Sequence, residues 1–201
     1  MPRDRIPRAQ AEVLAEELEV LFGHTCVRWE IAGSIRRRMH TVKDIEIVAV
    51  PRMVPSQENL FGEMVEERNE FLEALEAALK DGTLTKRTDE DGRTCWGPKH
   101  QRAVYKGVAV DVFQVLPPAQ WGVIFAIRTG PYDYSRNLVT SVAHGGRMPG
   151  GMKVDGGAVW RINALGDKVG MLPCPEEQDF FGHLNIPMPR PEERYFEERR
   201  T

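Results

Sequence analysis

The apolar residues near the start of the chain recur at helical spacing. They are Val13, Leu14, Leu18, Leu21 and Phe22. Residues 9–22 are therefore predicted to form an amphipathic helix. Gly23 is typical of the residue that ends one.

Two segments that follow this helix have the composition of β-strands. In residues 26–31, Val27, Trp29 and Ile31 alternate with less apolar residues, which is the period of a half-buried strand. Residues 44–50, DIEIVAV, are rich in β-branched side chains and predict a second strand that ends at proline.

A second helix is predicted over residues 57–80, where apolar residues again recur at helical spacing. These residues are Leu60, Met64, Phe71, Leu75 and Leu79. Residues 103–116, AVYKGVAVDVFQVL, predict a hairpin with its turn at Lys106 and Gly107 and with Asp111 in its second arm.

Pro117 and Pro118 interrupt the pattern and mark the predicted boundary between two domains, residues 1–116 and 117–201. The predicted fold class is α+β: helices packed on a mixed sheet, followed by a smaller C-terminal α+β subdomain.

Three segments of the C-terminal domain have distinct patterns. Residues 120–130 are apolar and predict a helix that stops at glycine, and residues 136–144 predict another helix. The density of glycine and proline over residues 145–157 predicts turns.

The composition is that of an ordinary globular protein, with 41% apolar and 28% charged residues and a net charge of −3. No run of 18 apolar residues and no apolar leader is present, so we expect a cytoplasmic protein without membrane partners. The three cysteines and five histidines are scattered without metal-ligand spacing, and neither disulfides nor zinc is predicted.

Positive charge is concentrated in one loop on this mildly acidic background. The residues are Arg36, Arg37, Arg38, His40 and Lys43. A local basic loop suits phosphate binding.

Two carboxylates, Asp44 and Glu46, fall on the same face of the predicted strand 44–50. Such neighbouring charges on a largely buried sheet need a compensating cation or a paired basic residue. Mg²⁺ prefers carboxylate oxygens and substrate phosphates, and a two-metal site needs a further carboxylate from nearby. Asp111 offers it, because its hairpin arm is expected to pair beside this strand.

A Gly-Ser pair, Gly33 and Ser34, directly follows the first predicted strand. Its backbone amides and hydroxyl are donors for phosphate oxygens, and the guanidinium of Arg37 can neutralise a departing pyrophosphate. The order of Gly-Ser, an arginine four residues after the glycine and the acid-x-acid pair resembles the active-site signature of the polymerase beta nucleotidyltransferases.

Three later segments extend the resemblance to the family X DNA polymerases of that superfamily. They are VAVDVFQVLPPAQWGVIFAIRTG, GMKVDGGAV and EEQDFFGHLNIPMPRPEER. The resemblance covers roughly residues 25–195. It implies a nucleotidyltransferase palm, two Mg²⁺ ions for which Mn²⁺ is a possible substitute, and dNTP and primer-template or gapped DNA as partners.

The resemblance also assigns roles to residues. Asp44 and Glu46 would bind both metals, and Asp111 would complete the site and help to accept the proton of the primer 3′-hydroxyl. The β and γ phosphates would be held by Gly33, Ser34 and Arg37.

The other implied contacts lie in the C-terminal domain. Thr129 and Gly130 would face the sugar, and Tyr132 would lie near the base. Ser135 takes the place where the family often has a base-contacting asparagine. Arg136 and Lys153 would approach the template or its phosphates.

Departures from the family pattern sharpen these expectations. Glu46 stands where an aspartate is usual, which favours a shift of metal preference towards manganese. Ile127-Arg128 replaces an aromatic pair, and Ala109 replaces an arginine that often contacts the primer. Only 24 residues precede the resemblance, so we expect a minimal monomer without lyase, helix-hairpin-helix or phosphoesterase domains, aided by an accessory DNA-binding protein.

Three functions follow in order of preference. The first is a templated DNA polymerase that fills gaps or short patches from dNTPs. The second is a template-independent nucleotidyltransferase acting on RNA, DNA ends or a small acceptor. The third is a catalytically silent nucleic-acid-binding module that has kept the fold.

Overall fold

The computed structural model describes residues 5–58, 64–89 and 91–195. Within them the protein is α+β, with a mixed five-stranded sheet and several helices. The chain divides into two compact units. Unit 1 comprises Met1–Ile31 and Thr41–Gln114, and unit 2 comprises residues 32–40 and 115–201.

The helices of the described residues vary from one turn to four. In chain order they are α1 (Arg8–Phe22), α2 (Gly33–Arg36), α3 (Glu70–Lys80), α4 (Trp121–Thr129), α5 (Tyr132–Val139) and α6 (Glu177–His183). Short 3-10 helices occur at Gly23–Thr25, Val142–His144 and Pro191–Glu193.

The strands form one main sheet and three smaller ones. In chain order they are β1 (Ile6–Pro7), β2 (Cys26–Ile31), β3 (Thr41–Val42), β4 (Asp44–Pro51), β5 (Met53–Glu58), β6 (Met64–Asn69), β7 (Thr85–Lys86), β8 (His100–Tyr105), β9 (Val108–Gln114), β10 (Met152–Asp155), β11 (Ala158–Ile162) and β12 (Lys168–Leu172).

The main sheet of unit 1 has the strand order β2-β4-β9-β8-β7. Its central pair, β4 and β9, is parallel, and every other neighbouring pair is antiparallel. The predicted pairing of the Asp111 strand beside residues 44–50 is therefore confirmed. The central position of β9 explains why all seven of its residues are buried.

The core of unit 1 contains α1, α3 and the apolar face of the main sheet. Ile45 and Ile47 of β4 are buried, at 0% and 1% exposure. Phe71 of α3 packs edge-on against Trp29 of β2, with ring centroids 5.6 Å apart, and against Phe22 of α1 at 6.4 Å. The opposite face of the sheet carries Asp44 and Glu46, as the alternation predicted.

The predicted helix over residues 57–80 is wrong in its first half. Residues 53–58 and 64–69 form the antiparallel ribbon β5–β6, and helix α3 begins only at Glu70. The side chain of Asn69 caps α3 by accepting a 2.9 Å hydrogen bond from the Leu72 amide. This capping residue ends the strand and begins the helix, and helical spacing alone did not reveal it. Leu60 lies outside the described residues.

The predicted alternation of β2 is interrupted at Val27. The register shifts between Cys26 and Arg28, which leaves Val27 without a partner on β4. Val27 is therefore 72% exposed. A bulge adds one residue to one strand and so breaks the period of two on which the prediction rested.

The predicted hairpin of β8 and β9 is confirmed, including its turn. Lys106 and Gly107 have φ angles of 47° and 81°, the left-handed values that a two-residue hairpin turn requires at both positions. This turn sets the register in which Arg102 pairs with Asp111.

Unit 2 packs α4, α5 and α6 with a three-stranded antiparallel sheet, β10-β11-β12. Its core includes Val123, Leu138, Val159, Phe180 and Phe181. The unit boundary at residue 114 lies close to the predicted one at 116. The segment 32–40 belongs to unit 2 and not, as predicted, to the first domain.

Two predictions in this unit are corrected. The helix expected over residues 136–144 is α5, which begins at Tyr132 and ends at Val139, followed by a separate 3-10 turn. The turns expected over residues 145–157 include strand β10, because glycines flank a short segment that pairs with β11.

Candidate active site

The three predicted metal-binding carboxylates lie on adjacent strands of the main sheet. Asp44 and Glu46 are half-buried and share one face of β4. Glu46 is the register partner of Asp111 on β9. Partners on neighbouring strands project to the same face of a sheet, so all three carboxylates share the polar face of unit 1.

Opposite charges continue this line across the sheet. Arg102 on β8 is the register partner of Asp111, and the amide of Arg87, just after β7, donates a 2.9 Å hydrogen bond to the carbonyl of Arg102. We call Glu46, Asp111, Arg102 and Arg87 the charge row. In the order of the strands across the sheet, the first two residues are acidic and the last two are basic.

Asp111 is bound within this row by three cationic or polar side chains. Nη2 of Arg87 donates hydrogen bonds of 2.9 Å to each carboxylate oxygen. Nε of Arg102 lies 3.3 Å from Oδ1, and Nε2 of His100 lies 3.4 Å from the same atom. The ring of His100 is held by stacking on Phe113, with centroids 4.4 Å apart.

The ionisation of Asp111 follows from these contacts. Burial raises the pKa of its carboxyl, but the hydrogen bond to His100 and the charge of Arg87 outweigh burial and hold the pKa below its ordinary value. The group is therefore an anion at neutral pH. An anionic carboxylate is the form that ligates a cation, and a low pKa makes it a weak base.

The carboxylates fit Mg²⁺ in residue type and in register, since the ion prefers such oxygens. Their side-chain positions do not fit it. Among the described residues, no group of three or more His, Cys, Asp or Glu side chains is arranged to hold a metal ion. At Asp111 the physical reason is the guanidinium of Arg87, which contacts both oxygens.

The predicted phosphate loop belongs to unit 2. Gly33 has a φ of 60°, which favours glycine because a side chain is strained there. Ser34 follows in the single turn α2. Its hydroxyl oxygen is buried and, within the described part of the chain, has no hydrogen-bond partner. Such a group usually has a partner, and a ligand oxygen would supply one.

The arginines after this loop bind the end of α4. Nη1 of Arg37 donates to the carbonyl of Thr129. Nη1 of Arg36 donates a 2.5 Å hydrogen bond to the hydroxyl of the same threonine, and its guanidinium carbon lies 3.8 Å from the ring centroid of Phe125. The predicted residues Ser34, Arg37 and Thr129 are thus brought together within unit 2.

A buried ion cluster that no sequence pattern indicated fixes this arrangement. Glu177 of α6 accepts hydrogen bonds of 2.9 and 2.6 Å from Arg36 and one of 2.6 Å from Arg194. Arg194 is 2% exposed and Glu177 is 6% exposed. Burial raises the pKa of Glu177, but the hydrogen bonds from the two arginines outweigh burial and lower it.

The predicted sugar-side residues make contacts within unit 2. The Thr129 hydroxyl donates to the Phe125 carbonyl at 2.7 Å, and the Ser135 hydroxyl donates to the Ile127 carbonyl at 2.6 Å. A Cβ on Gly130 would lie 2.5 Å from the Tyr134 side chain. Glycine is therefore required here by packing, which gives the Thr-Gly turn a structural role.

The remaining predicted contacts lie on the surface of unit 2. Tyr132 is 75% exposed at the start of α5, and Arg136 is exposed on the same helix. Nζ of Lys153, on β10, donates a 3.2 Å hydrogen bond to the carbonyl of Gly166. The structure places Lys153 on a different element from Arg136. The base contact of Tyr132 and the template contacts of Arg136 and Lys153 stay predictions.

No protein-family model matches the chain, and a search of the curated proteins returns no match. In the described part of the chain, no helix is long and apolar enough to cross a membrane.

Acid should destabilise unit 2 through Glu177. Because the pKa of this carboxyl is lower in the folded chain, the cluster stabilises the fold fully above the unfolded-state pKa of about 4.3 and ceases to do so as pH falls through the folded value. We expect Glu177→Gln to lower the free energy of unfolding at pH 7 by about 3 kcal/mol. We also expect the free energy of unfolding of this variant to fall less steeply than that of the wild type as the pH is lowered.

Urea unfolding followed by circular dichroism from pH 7 to pH 3 measures both effects. Glu192→Gln is the matched control, because the ion pair of Glu192 with Arg38 is exposed and should contribute little. Equal unfolding energies for Glu177→Gln and the wild type at pH 7 would contradict the assignment.

Proposed function

We propose that this protein is a nucleotidyltransferase with a polymerase beta-like palm, and that it extends the 3′-hydroxyl of a DNA primer from dNTPs in a templated, gap-filling reaction. The observation that carries the proposal is the position of Asp44, Glu46 and Asp111 on one face of two adjacent parallel strands. Carboxylates that share one face of neighbouring, largely buried strands need a cationic ligand or partner.

The proposed reaction is a nucleotidyl transfer. The primer 3′-hydroxyl gives up its proton to solvent water, and its oxygen forms a bond to the α-phosphorus of the nucleotide. The bond from that phosphorus to the bridging oxygen breaks, and pyrophosphate leaves. In this scheme Asp44, Glu46 and Asp111 would hold two Mg²⁺ ions, with Mn²⁺ as a possible substitute. When bound, such ions supply neutralisation of phosphate charge.

The phosphate loop supports the same proposal from unit 2. The buried Ser34 hydroxyl has no hydrogen-bond partner among the described residues, and the φ of 60° at Gly33 is one that a side chain would strain. Arg37 supplies positive charge beside them. These groups would bind the β and γ phosphates of a nucleotide.

A catalytically silent nucleic-acid-binding module is the second candidate. The pairing of Asp111 with Arg87 favours it, since an internal cation already balances this carboxylate. In such a module the charge row would have a structural role only. A template-independent nucleotidyltransferase is a third candidate. The composition of its products, which would not follow the template, distinguishes it from a templated polymerase.

Loss of a proposed metal ligand should abolish nucleotide incorporation. We expect Asp44→Asn to lower the rate of primer extension on gapped DNA by about 1000-fold, because several kcal/mol of charge stabilisation would be lost. Asp167→Asn, which changes an exposed acid of unit 2, is the control and should retain wild-type activity. Extension by Asp44→Asn at the wild-type rate would rule out the proposed metal site.

The same assay separates the candidate functions. Products that follow the template support the polymerase, whereas products from single-stranded primer that ignore the template, with dNTPs or rNTPs, support template-independent transfer. If the wild type and Asp44→Asn both bind gapped DNA and neither incorporates a nucleotide, the result supports the silent module.

Removal of the Ser34 hydroxyl should weaken triphosphate binding without weakening the fold. A hydrogen bond to a charged oxygen contributes about 1.5–3 kcal/mol, so Ser34→Ala should lower kcat/KM for dNTP by about 10- to 100-fold. Because the hydroxyl has no protein partner in the described residues, we expect Tm to stay equal or rise. Steady-state kinetics and thermal unfolding measure the two effects.

Ser141→Ala is the control for Ser34→Ala, since the Ser141 hydroxyl forms an exposed 2.8 Å hydrogen bond with His144. A lowered Tm with unchanged kcat/KM in Ser34→Ala would contradict the phosphate-binding role.

A further inference from the structure

Cys95 differs from the other two cysteines in its surroundings. Cys26 and Cys174 are buried, at 7% and 0% exposure. Burial raises the pKa of the Cys26 thiol to about 11 and the pKa of the Cys174 thiol to about 12. Such thiols are almost entirely protonated at pH 7 and are poor nucleophiles. Cys95 is half-buried, and its side chain contacts a histidine.

The thiol of Cys95 lies beside the ring of His100. Sγ of Cys95 is 3.3 Å from Nδ1 and 3.6 Å from the carbonyl oxygen of this histidine. Two backbone hydrogen bonds fix the loop that joins the two residues. The Gly97 amide donates to the His100 carbonyl at 3.0 Å, and the Arg102 amide donates to the Cys95 carbonyl at 2.8 Å. The loop therefore holds the thiol against the ring.

The contacts of His100 determine which of its ring nitrogens carries a proton. Nε2 lies 3.4 Å from Oδ1 of Asp111. This carboxylate is an anion at neutral pH, so it can only accept a hydrogen bond. Nε2 is therefore the donor, which leaves the lone pair of the neutral ring on Nδ1, facing the thiol. Stacking on Phe113, with centroids 4.4 Å apart, keeps the ring in this orientation.

Cys95, His100 and Asp111 are thus arranged as a nucleophile, a general base and an acid that orients the base. All three belong to unit 1. Acyl transfer would also require amide donors for an oxyanion, but the nearby amides of Gly97 and Arg102 already bond to carbonyls. Disulfide exchange requires only a thiolate and a disulfide sulfur that it can attack, so this chemistry suits the site better.

We propose that Cys95 is a reactive thiol that forms mixed disulfides with small disulfide compounds, with His100 as its base and Asp111 as the residue that positions the base. The thiol proton passes to Nδ1, and the sulfur of Cys95 forms a bond to one sulfur of the compound. The disulfide bond of the compound breaks, and the leaving thiolate takes the proton from Nδ1. The compound is thereby reduced to a free thiol, and Cys95 is oxidised to a mixed disulfide.

Treatment of the full-length protein with bis(2-hydroxyethyl) disulfide at pH 7, followed over time by peptide mass spectrometry, tests the proposal. Cys26 and Cys174 are internal controls. We expect Cys95 to be modified at least about 100-fold faster than either, because each unit by which a pKa is raised lowers the thiolate fraction about tenfold.

The role of the base is tested with His100→Phe, which keeps a ring that can stack on Phe113. We expect modification of Cys95 to slow about tenfold, since a thiol without a base is still ionised to a few per cent at pH 7. His144→Phe changes an exposed histidine of unit 2 and should leave the rate unchanged.

Two kinetic results would overturn the proposal. The first is modification of Cys95 no faster than that of the two buried cysteines. The second is an equal rate in His100→Phe and the wild type, because the thiol would then react without a base. Both results leave the proposed function untouched, since the thiol reaction requires neither metal nor nucleotide and is measured without them.

Nitrogen-15 NMR of the wild type tests the role of Asp111 and does not depend on the folding of a variant. We expect Nε2 of His100 to have the chemical shift of a protonated ring nitrogen at pH 7, because Asp111 accepts its hydrogen bond. An unprotonated Nε2 would overturn the proposal, since Nδ1 would then carry the proton and could not accept one from Cys95.

Discussion

A carboxylate buried in the middle of a β-sheet must have a cation beside it, and at Asp111 that cation is Arg87. An uncompensated buried charge costs several kcal/mol. This cost explains why the two strands beside β9 carry residues of opposite charge next to Asp111. On one side β4 brings Glu46 into register with Asp111, and on the other side β8 brings Arg102. The charge row therefore extends over β4, β9, β8 and the residue after β7. The opposite, apolar face of the sheet forms part of the core of unit 1.

Unit 2 meets the same constraint with a different set of residues. Glu177 is buried between Arg36 and Arg194, and this cluster connects the segment that carries Gly33 and Ser34 to α4 and α6. The ion cluster thus fixes the geometry of the loop that would bind phosphate. In the proposed function the cluster itself does not contact phosphate. Arg36 and Arg37 are adjacent in the chain, yet Arg36 bonds to the Glu177 carboxylate while Arg37 bonds to a backbone carbonyl.

Local patterns predicted much of unit 1 from the sequence. The alternation of residues 44–50 placed Asp44 and Glu46 on one face, and the Lys106–Gly107 turn fixes the register that pairs Arg102 with Asp111, so this contact was accessible from the hairpin. The contact of Arg87 with Asp111 could not be predicted from the sequence, because Arg87 follows a two-residue strand whose position depends on tertiary pairing. The Glu177 cluster joins residues up to 141 positions apart, beyond any local signal. Helical spacing failed before Asn69 because the ribbon β5–β6 is held by pairing between strands.

The most direct test of the central claim is a crystal structure with Mn²⁺, gapped DNA and a nonhydrolysable dNTP, with the metal located by anomalous scattering. We expect two manganese peaks, coordinated by Asp44, Glu46 and Asp111. A nucleotide bound without manganese at these carboxylates would contradict the proposed function.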